Sequence, residues 1–122
     1  MTTTTTPNAN HKRGDVVLVL FPNSNLQTAK PRPALIIQAN DLNSGLSQVI
    51  VCMITSRMFR AGHPSRIEVQ LATAEGQQSG LLGNSVIMTD NIATIGHLAI
   101  ERTIGSLPMS GIDGALRHTL SL

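Results

Sequence analysis

Val16-Val17-Leu18-Val19-Leu20 is an unbroken apolar run, entered through Gly14-Asp15 and stopped by Pro22-Asn23-Ser24-Asn25. Its length is that of a strand, its valines favour extended backbone, and the lack of polar alternation implies burial on both faces. Further short runs follow. Ala34 to Gln38 is apolar and ends at Asn40-Asp41, and Val49 to Ile54 is a third strand. Ile67-Glu68-Val69-Gln70-Leu71 alternates, the mark of a half-exposed strand. Ser85 to Met88 follows the Gly80–Gly83 turn, and Arg102 to Leu107 supplies a short sixth strand.

The last segment changes period. Ile112, Ala115, Leu116, Thr119 and Leu120 recur on one helical face, behind Ser110 as N-cap and Asp113 in the first turn. Many short strands and one terminal amphipathic helix predict a mainly β (α+β) fold: a small, strongly bent β-barrel with the helix laid on it.

The chain has 122 residues, enough for one domain with one sizeable core. Residues 1–11 form a Thr-rich, low-complexity stretch expected to be a disordered tail, leaving 12–122 as the domain. Nine Lys and Arg stand against seven Asp and Glu, a net charge of +2, and seven of the nine cations are Arg. Arg is the side chain whose planar fork suits phosphate and carboxylate. With no Trp, no Tyr and two Phe, the composition argues against a binder that stacks bases on aromatics. Cys52, inside an apolar strand, reads as a small buried hydrophobe rather than a nucleophile. No stretch approaches a membrane span and the N-terminus has no apolar signal region, so a cytoplasmic location is expected.

The four His, at 11, 63, 97 and 118, show no metal-ligand spacing. Gly80-Leu81-Leu82-Gly83 lacks the Lys-Ser/Thr of a phosphate loop, and no Gly-x-Ser-x-Gly is present. Any catalysis is expected to need neither metal nor nucleotide cofactor. What remains is a set of polar residues at strand ends. Lys30 and Arg32 precede the second apolar run, with Pro31 and Pro33 fixing the backbone around the Arg. Thr55 and Ser56 end the third strand, and Arg57, Arg60, His63 and Arg66 follow in one loop, a candidate anion-binding patch. Asp90 and Asn91 follow the fifth strand. Taken singly, each has an ordinary reading: a strand-entry Arg paired to a carboxylate, turn hydroxyls, a solvated basic loop, a loop His, a polar turn.

Together they form a pattern. Gly14-Asp15 through Phe21-Pro22, then Lys30-Pro31-Arg32-Pro33-Ala34-Leu35-Ile36, then Ile54-Thr55-Ser56, resembles the MazF/PemK toxin family. Ser85 to Ile95 and Ile104-Gly105-Ser106-Leu107 resemble its second half less specifically. The resemblance implies an SH3-like barrel with a C-terminal helix, usually a homodimer. It implies a metal-independent, sequence-specific endoribonuclease that arrests growth and is neutralised by a cognate antitoxin. It also implies Arg32 and Thr55 as catalytic residues, with Lys30, Ser56, Arg57, Arg60, His63 and Asp90 near single-stranded RNA. The chain departs from the family pattern at Gln27, at Asn23-Ser24-Asn25, at Met88 and at Asn91. Two other functions fit the same fold: a non-enzymatic inhibitor acting on DNA gyrase, and a catalytically weakened RNA- or partner-binding module.

Overall fold

The structure, a computed structural model, describes residues 11–22 and 29–122. Residues 1–10 and 23–28, which carry nearly all of the expected tail and Gln27, lie outside the described residues. The strands are β1 (Asp15–Pro22), β2 (Ala29–Ile36), β3 (Gln48–Thr55), β4 (Arg66–Val69), β5 (Ser85–Gly96) and β6 (Ile100–Ser106). They pair antiparallel in the order β4-β5-β3-β2-β1-β6. The helices are α1 (Ala74–Ser79) and α2 (Ser110–Leu120), with 3₁₀ turns at Met58–Arg60 and His97–Ala99. This is the mainly β, SH3-like architecture with a C-terminal helix, though the ladder ends at β4 and β6 rather than closing by pairing. Among the described residues no helix is long and apolar enough to cross a membrane.

The unbroken apolar character of β1 has the expected cause. Val16 joins Leu35, Cys52, Ile54 and Ile87 on one face, under Ile112 and Leu116 of α2. Val17 and Val19 join Ala34, Ile36, Val49 and Val51 on the other. Each such side chain taken fully out of water contributes about 1.5–3 kcal/mol. Cys52 is fully buried, and burial pushes its thiol up to about 12, so it is inert at neutral pH.

Several boundaries differ from those expected. Ser110 is the first helical residue rather than the cap, which is Met109 without a side-chain bond. Asp113 serves the helix start instead: Arg13 Nη2 donates to Asp113 Oδ1 at 2.6 Å while Arg13 Nε donates to the Ile37 carbonyl at 2.9 Å. Leu120 is 50 % exposed, off the buried face. α1 has no counterpart in the sequence reading, since six residues are too few to show a period. Its signals are local: the Thr73 hydroxyl accepts from Gly76 N–H at 3.0 Å, and Gly80 ends the helix in the left-handed region. β5 continues to Gly96, well beyond Met88. His11, the last residue of the expected tail, stacks on His97 with ring centroids 6.2 Å apart.

Candidate active site

The Lys30-Pro31-Arg32-Pro33 stretch lies inside β2, not before it. The prolines explain how. The Ile36 carbonyl accepts from Gly14 N–H, on the β1 side, and Ile37 N–H donates to Ile50, on the β3 side. Alternation along a strand therefore aims positions 31 and 33 at β3. Proline has no N–H to give there. Pairing with β1 runs unbroken from Val16↔Leu35 to Pro22↔Ala29, whereas pairing with β3 stops at Ala34↔Met53. Arg32 and Thr55 each lie two residues past the last β2–β3 pair, Ala34↔Met53. Both share the face of Val19, Ala34 and Met53, at the mouth of a gap whose ladder bonds the prolines removed. Lys30 is two residues further along β2, on the same face, and both cations are exposed.

Beyond the gap the chain turns sharply. The Thr55 hydroxyl accepts from Arg57 N–H at 3.2 Å, which leaves its own proton available to donate. Ser56 and Arg57 are exposed beside it. The Met58–Arg60 turn folds back so that Arg60 Nη1 reaches Met88 Sδ at 3.6 Å. His63 Nδ1 accepts from Ser65 N–H at 3.0 Å, which puts the proton of the neutral ring on Nε2.

Asp90 reaches this loop through an irregularity in β5. Cys52 pairs with Ile92, but the next residue, Met53, pairs with Met88. Thr89, Asp90 and Asn91 thus stand out of the β3–β5 ladder. Asp90 takes both arms of Arg66, from Nη2 at 2.7 Å and Nε at 3.3 Å. The hydrogen bond from Arg66 is the main cause holding Asp90 below the usual carboxylate range. Thr89 is fully buried, and its hydroxyl donates to the Ser65 carbonyl at 2.6 Å. Thr119 of α2 lies 2.8 Å from the Thr89 hydroxyl and 2.7 Å from that of Ser65. Helix, loop and bulge are locked together at this point.

The structure therefore gathers Thr55, Ser56, Arg57, Arg60, His63 and Asp90 around one loop, with Arg32 and Lys30 across the gap. Among the described residues the ion pairs are Arg13–Asp113 and Arg66–Asp90, so Arg32, Arg57 and Arg60 stand outside both. Two features of the site are not among the expected residues. Arg66, noted only as part of the basic loop, is its electrostatic partner for Asp90. Phe59, 78 % exposed, sits in the middle of the loop. Its signal was present in the sequence: an aromatic inside Arg57-Met58-Phe59-Arg60.

A second polar region lies apart from this one. His11 and His97 line a cavity of about 710 Å³ with Lys12, Arg13, Asp41 and Gln48. Among the described residues neither His Nδ1 has a hydrogen-bond partner. Burial, and secondarily the charge of His11, lowers the pKa of His97 from 6.5, against a hydrogen bond with the Gln48 backbone. The unfolded chain then takes up a proton before the folded one does. The contribution of His97 to stability is complete above the unfolded pKa and declines as pH falls below it. The unfolding midpoint should drop as the pH falls below about 6.5, and His97→Gln should flatten that slope. An equal slope in the variant would assign the titration to another group.

Residues 12–118 match the profile described as PemK-like, MazF-like toxin of type II toxin-antitoxin system. The chain belongs to that family. Endoribonuclease MazF6 of Mycobacterium tuberculosis is 33% identical over 107 residues, covering 84% of this chain and 90% of that protein. Endoribonuclease MazF2 of Mycobacterium bovis gives the same figures: 33%, 84% and 90%. Among solved structures, a mycobacterial endoribonuclease in complex with its cognate antitoxin superposes with a TM-score of 0.71 at 22% identity, covering 92% of this chain and 96% of that one. The Mycobacterium tuberculosis toxin MazF-mt6 gives 0.68 at 24%, covering 88% and 97%. At those identities the superpositions speak to the fold, and family membership rests on the sequence matches.

Proposed function

We propose that this toxin-family chain is a sequence-specific endoribonuclease that cleaves single-stranded RNA without a metal, using the substrate's own 2′-OH as nucleophile. The observation that supports this reading is the end of β2–β3 pairing at Ala34↔Met53, with Arg32 and Thr55 each two residues beyond that pair on its own strand. In such a reaction the 2′-oxygen attacks the adjacent phosphorus, the 5′-oxygen leaves, and the products are a 2′,3′-cyclic phosphate and a 5′-hydroxyl. Charge builds on the phosphoryl oxygens. Arg32 offers its fork to two of them, and its high pKa makes charge stabilisation its role rather than proton transfer. Thr55, its acceptor side taken by Arg57 N–H, donates to a phosphoryl oxygen or orients the 2′-OH. Pre-placed donors of this kind need no reorganisation as charge develops.

Lys30, Ser56, Arg57, Arg60 and His63 would then hold the flanking phosphates. Asp90 fixes Arg66 and offers an acceptor edge to a base amino group. The cognate antitoxin and a second copy of the chain are the protein partners of this reading, in the cytoplasm. An apolar groove of about 640 Å³ beside α2, lined by Leu42, Ile92, Leu120 and Leu122, gives such contacts a place.

The test is a long single-stranded RNA incubated with the purified protein, free of antitoxin, in excess EDTA. Cleavage to 5′-hydroxyl ends is expected. Intact RNA with folded protein, on transcripts covering many sequences, would sink the reading.

A further inference from the structure

We propose that Phe59 is a stacking platform for an unpaired nucleobase flanking the scissile phosphate. The proposal rests on the ribonuclease reading above and adds a binding residue to it. Phe59 is one of two Phe in a chain without Trp or Tyr, and it is 78 % exposed. Isolated surface hydrophobics are ordinary. This one differs in how it is held and in what surrounds it.

The turn that carries it is braced. Arg60 N–H donates to the Arg57 carbonyl and Ala61 N–H to the Met58 carbonyl, each at 3.0 Å. Arg66 Nη1 donates to the Arg60 carbonyl at 3.2 Å while its other arms hold Asp90. The Arg60 guanidinium carbon lies 5.8 Å from the Phe59 ring centroid, and Arg60 is itself tied to Met88. The ring is thus kept in the open with a cation over one face, and its exposure leaves the other face to solvent. Such pre-organisation lowers the entropy lost on binding.

Its surroundings select the ligand. Arg57, Arg60 and His63 lie in the same loop. Cations that take phosphates, set around a π-face that takes a base, are the combination that binds single-stranded nucleic acid. A peptide's apolar side chains would instead find the groove beside α2, on a different part of the molecule. Phe59 is four residues from Thr55, at most about 14 Å along an extended chain. The stacked base therefore belongs to a nucleotide close to the cleaved bond. Arg60 behind the ring adds a cation–π contact to the sandwich.

Kinetics and fluorescence test this together. Phe59→Ala and Phe59→Leu should each weaken RNA recognition by about 5- to 100-fold, appearing as a raised KM with kcat within about twofold. Phe59→Trp should restore it. A structural role would be met by Leu as well as by Trp. Phe59→Trp also introduces the only Trp of the chain. Placed in an Arg32→Ala background to spare the RNA, it should be quenched by a random-sequence single-stranded RNA pool. It should not be quenched by the annealed duplex pool or by inorganic polyphosphate. Equal quenching by polyphosphate, or RNA binding without quenching, overturns the platform and leaves the ribonuclease reading standing. A response to the purified cognate antitoxin with none to RNA assigns Phe59 to a protein contact and also overturns it. Wild-type protein that neither cleaves nor binds the pool fails the ribonuclease reading, and this proposal falls with it.

Discussion

Arg32→Ala lowers the rate of RNA cleavage by about 10²–10³-fold in a single-turnover assay in EDTA, the loss expected when one transition-state donor is removed. The variant folds normally. Arg32 is exposed, and the backbone around it is fixed by Pro31 and Pro33 and by the complete ladder with β1. The unfolding free energy should therefore stay within about 0.5 kcal/mol of wild type, as for other surface substitutions. Arg32→Lys keeps the charge but loses the planar fork, and it should recover only part of the rate. Full activity in Arg32→Ala would remove Arg32 from the chemistry and shift the reaction to the loop side of the gap.

The two prolines link this chemistry to the fold. An Arg in the middle of a central strand would ordinarily be crowded by ladder bonds on both sides. Here one side of β2 is fully paired and the other is stripped of donors, because positions 31 and 33 aim at β3. One short stretch thus sets the rigidity behind Arg32 and the opening in front of it. The loop after Thr55 then divides its charges: Asp90 neutralises Arg66, which becomes a brace, while Arg57 and Arg60 stay outside any ion pair among the described residues. Removing the brace and removing a phosphate-binding cation are consequently different experiments.

Much of this could be read from the residues. The unbroken run of β1, the apolar stretch of β2 and β3, and the 3.6-residue face of α2 are strong periodic signals, and the structure repeats them. Pairing Arg32 with Thr55 as catalytic residues came from the resemblance, since each alone has an ordinary reading. Other features were hidden for physical reasons. Asp90-Asn91 has the composition of a strand-ending turn, and only the register jump between Cys52↔Ile92 and Met53↔Met88 shows that β5 continues past it. Pro31 and Pro33 read as lying ahead of the strand, fixing the backbone around Arg32. They are tolerated within β2 because the missing donors fall on the side that does not pair, which depends on alternation set from Ile36 and Ile37. Low aromatic content counts how many rings a chain has and not where one is held, and Phe59 is held in the open.

Gly80→Ala should destabilise the protein by about 3 kcal/mol or more, although the substitution adds a single methyl group. Gly80 closes α1 at φ 73°, a left-handed conformation that costs an Ala about 1–2 kcal/mol. A Cβ there would lie 1.9 Å from the Ile104 carbonyl oxygen of β6 and 2.6 Å from its carbon. β6 has the same need from its side, since a Cβ on Gly105 would meet the Gln78 and Ser79 carbonyl oxygens at 2.4 Å. The two backbones touch, so no flexible side chain can move aside. Relief requires α1 to shift from β6, and the displacement reaches the core through Ser79, fully buried, whose hydroxyl accepts from Leu81 N–H at 3.1 Å. For a domain of this size the melting temperature should fall by about 10 °C or more. Gly114→Ala makes the contrast within the same chain. It lies inside α2 with nothing within 4 Å of its Cβ, and should raise stability by about 0.5–1 kcal/mol through helix propensity. If Gly80→Ala melted with wild type while Gly114→Ala moved as expected, the contact between α1 and β6 would carry none of the stability assigned to it.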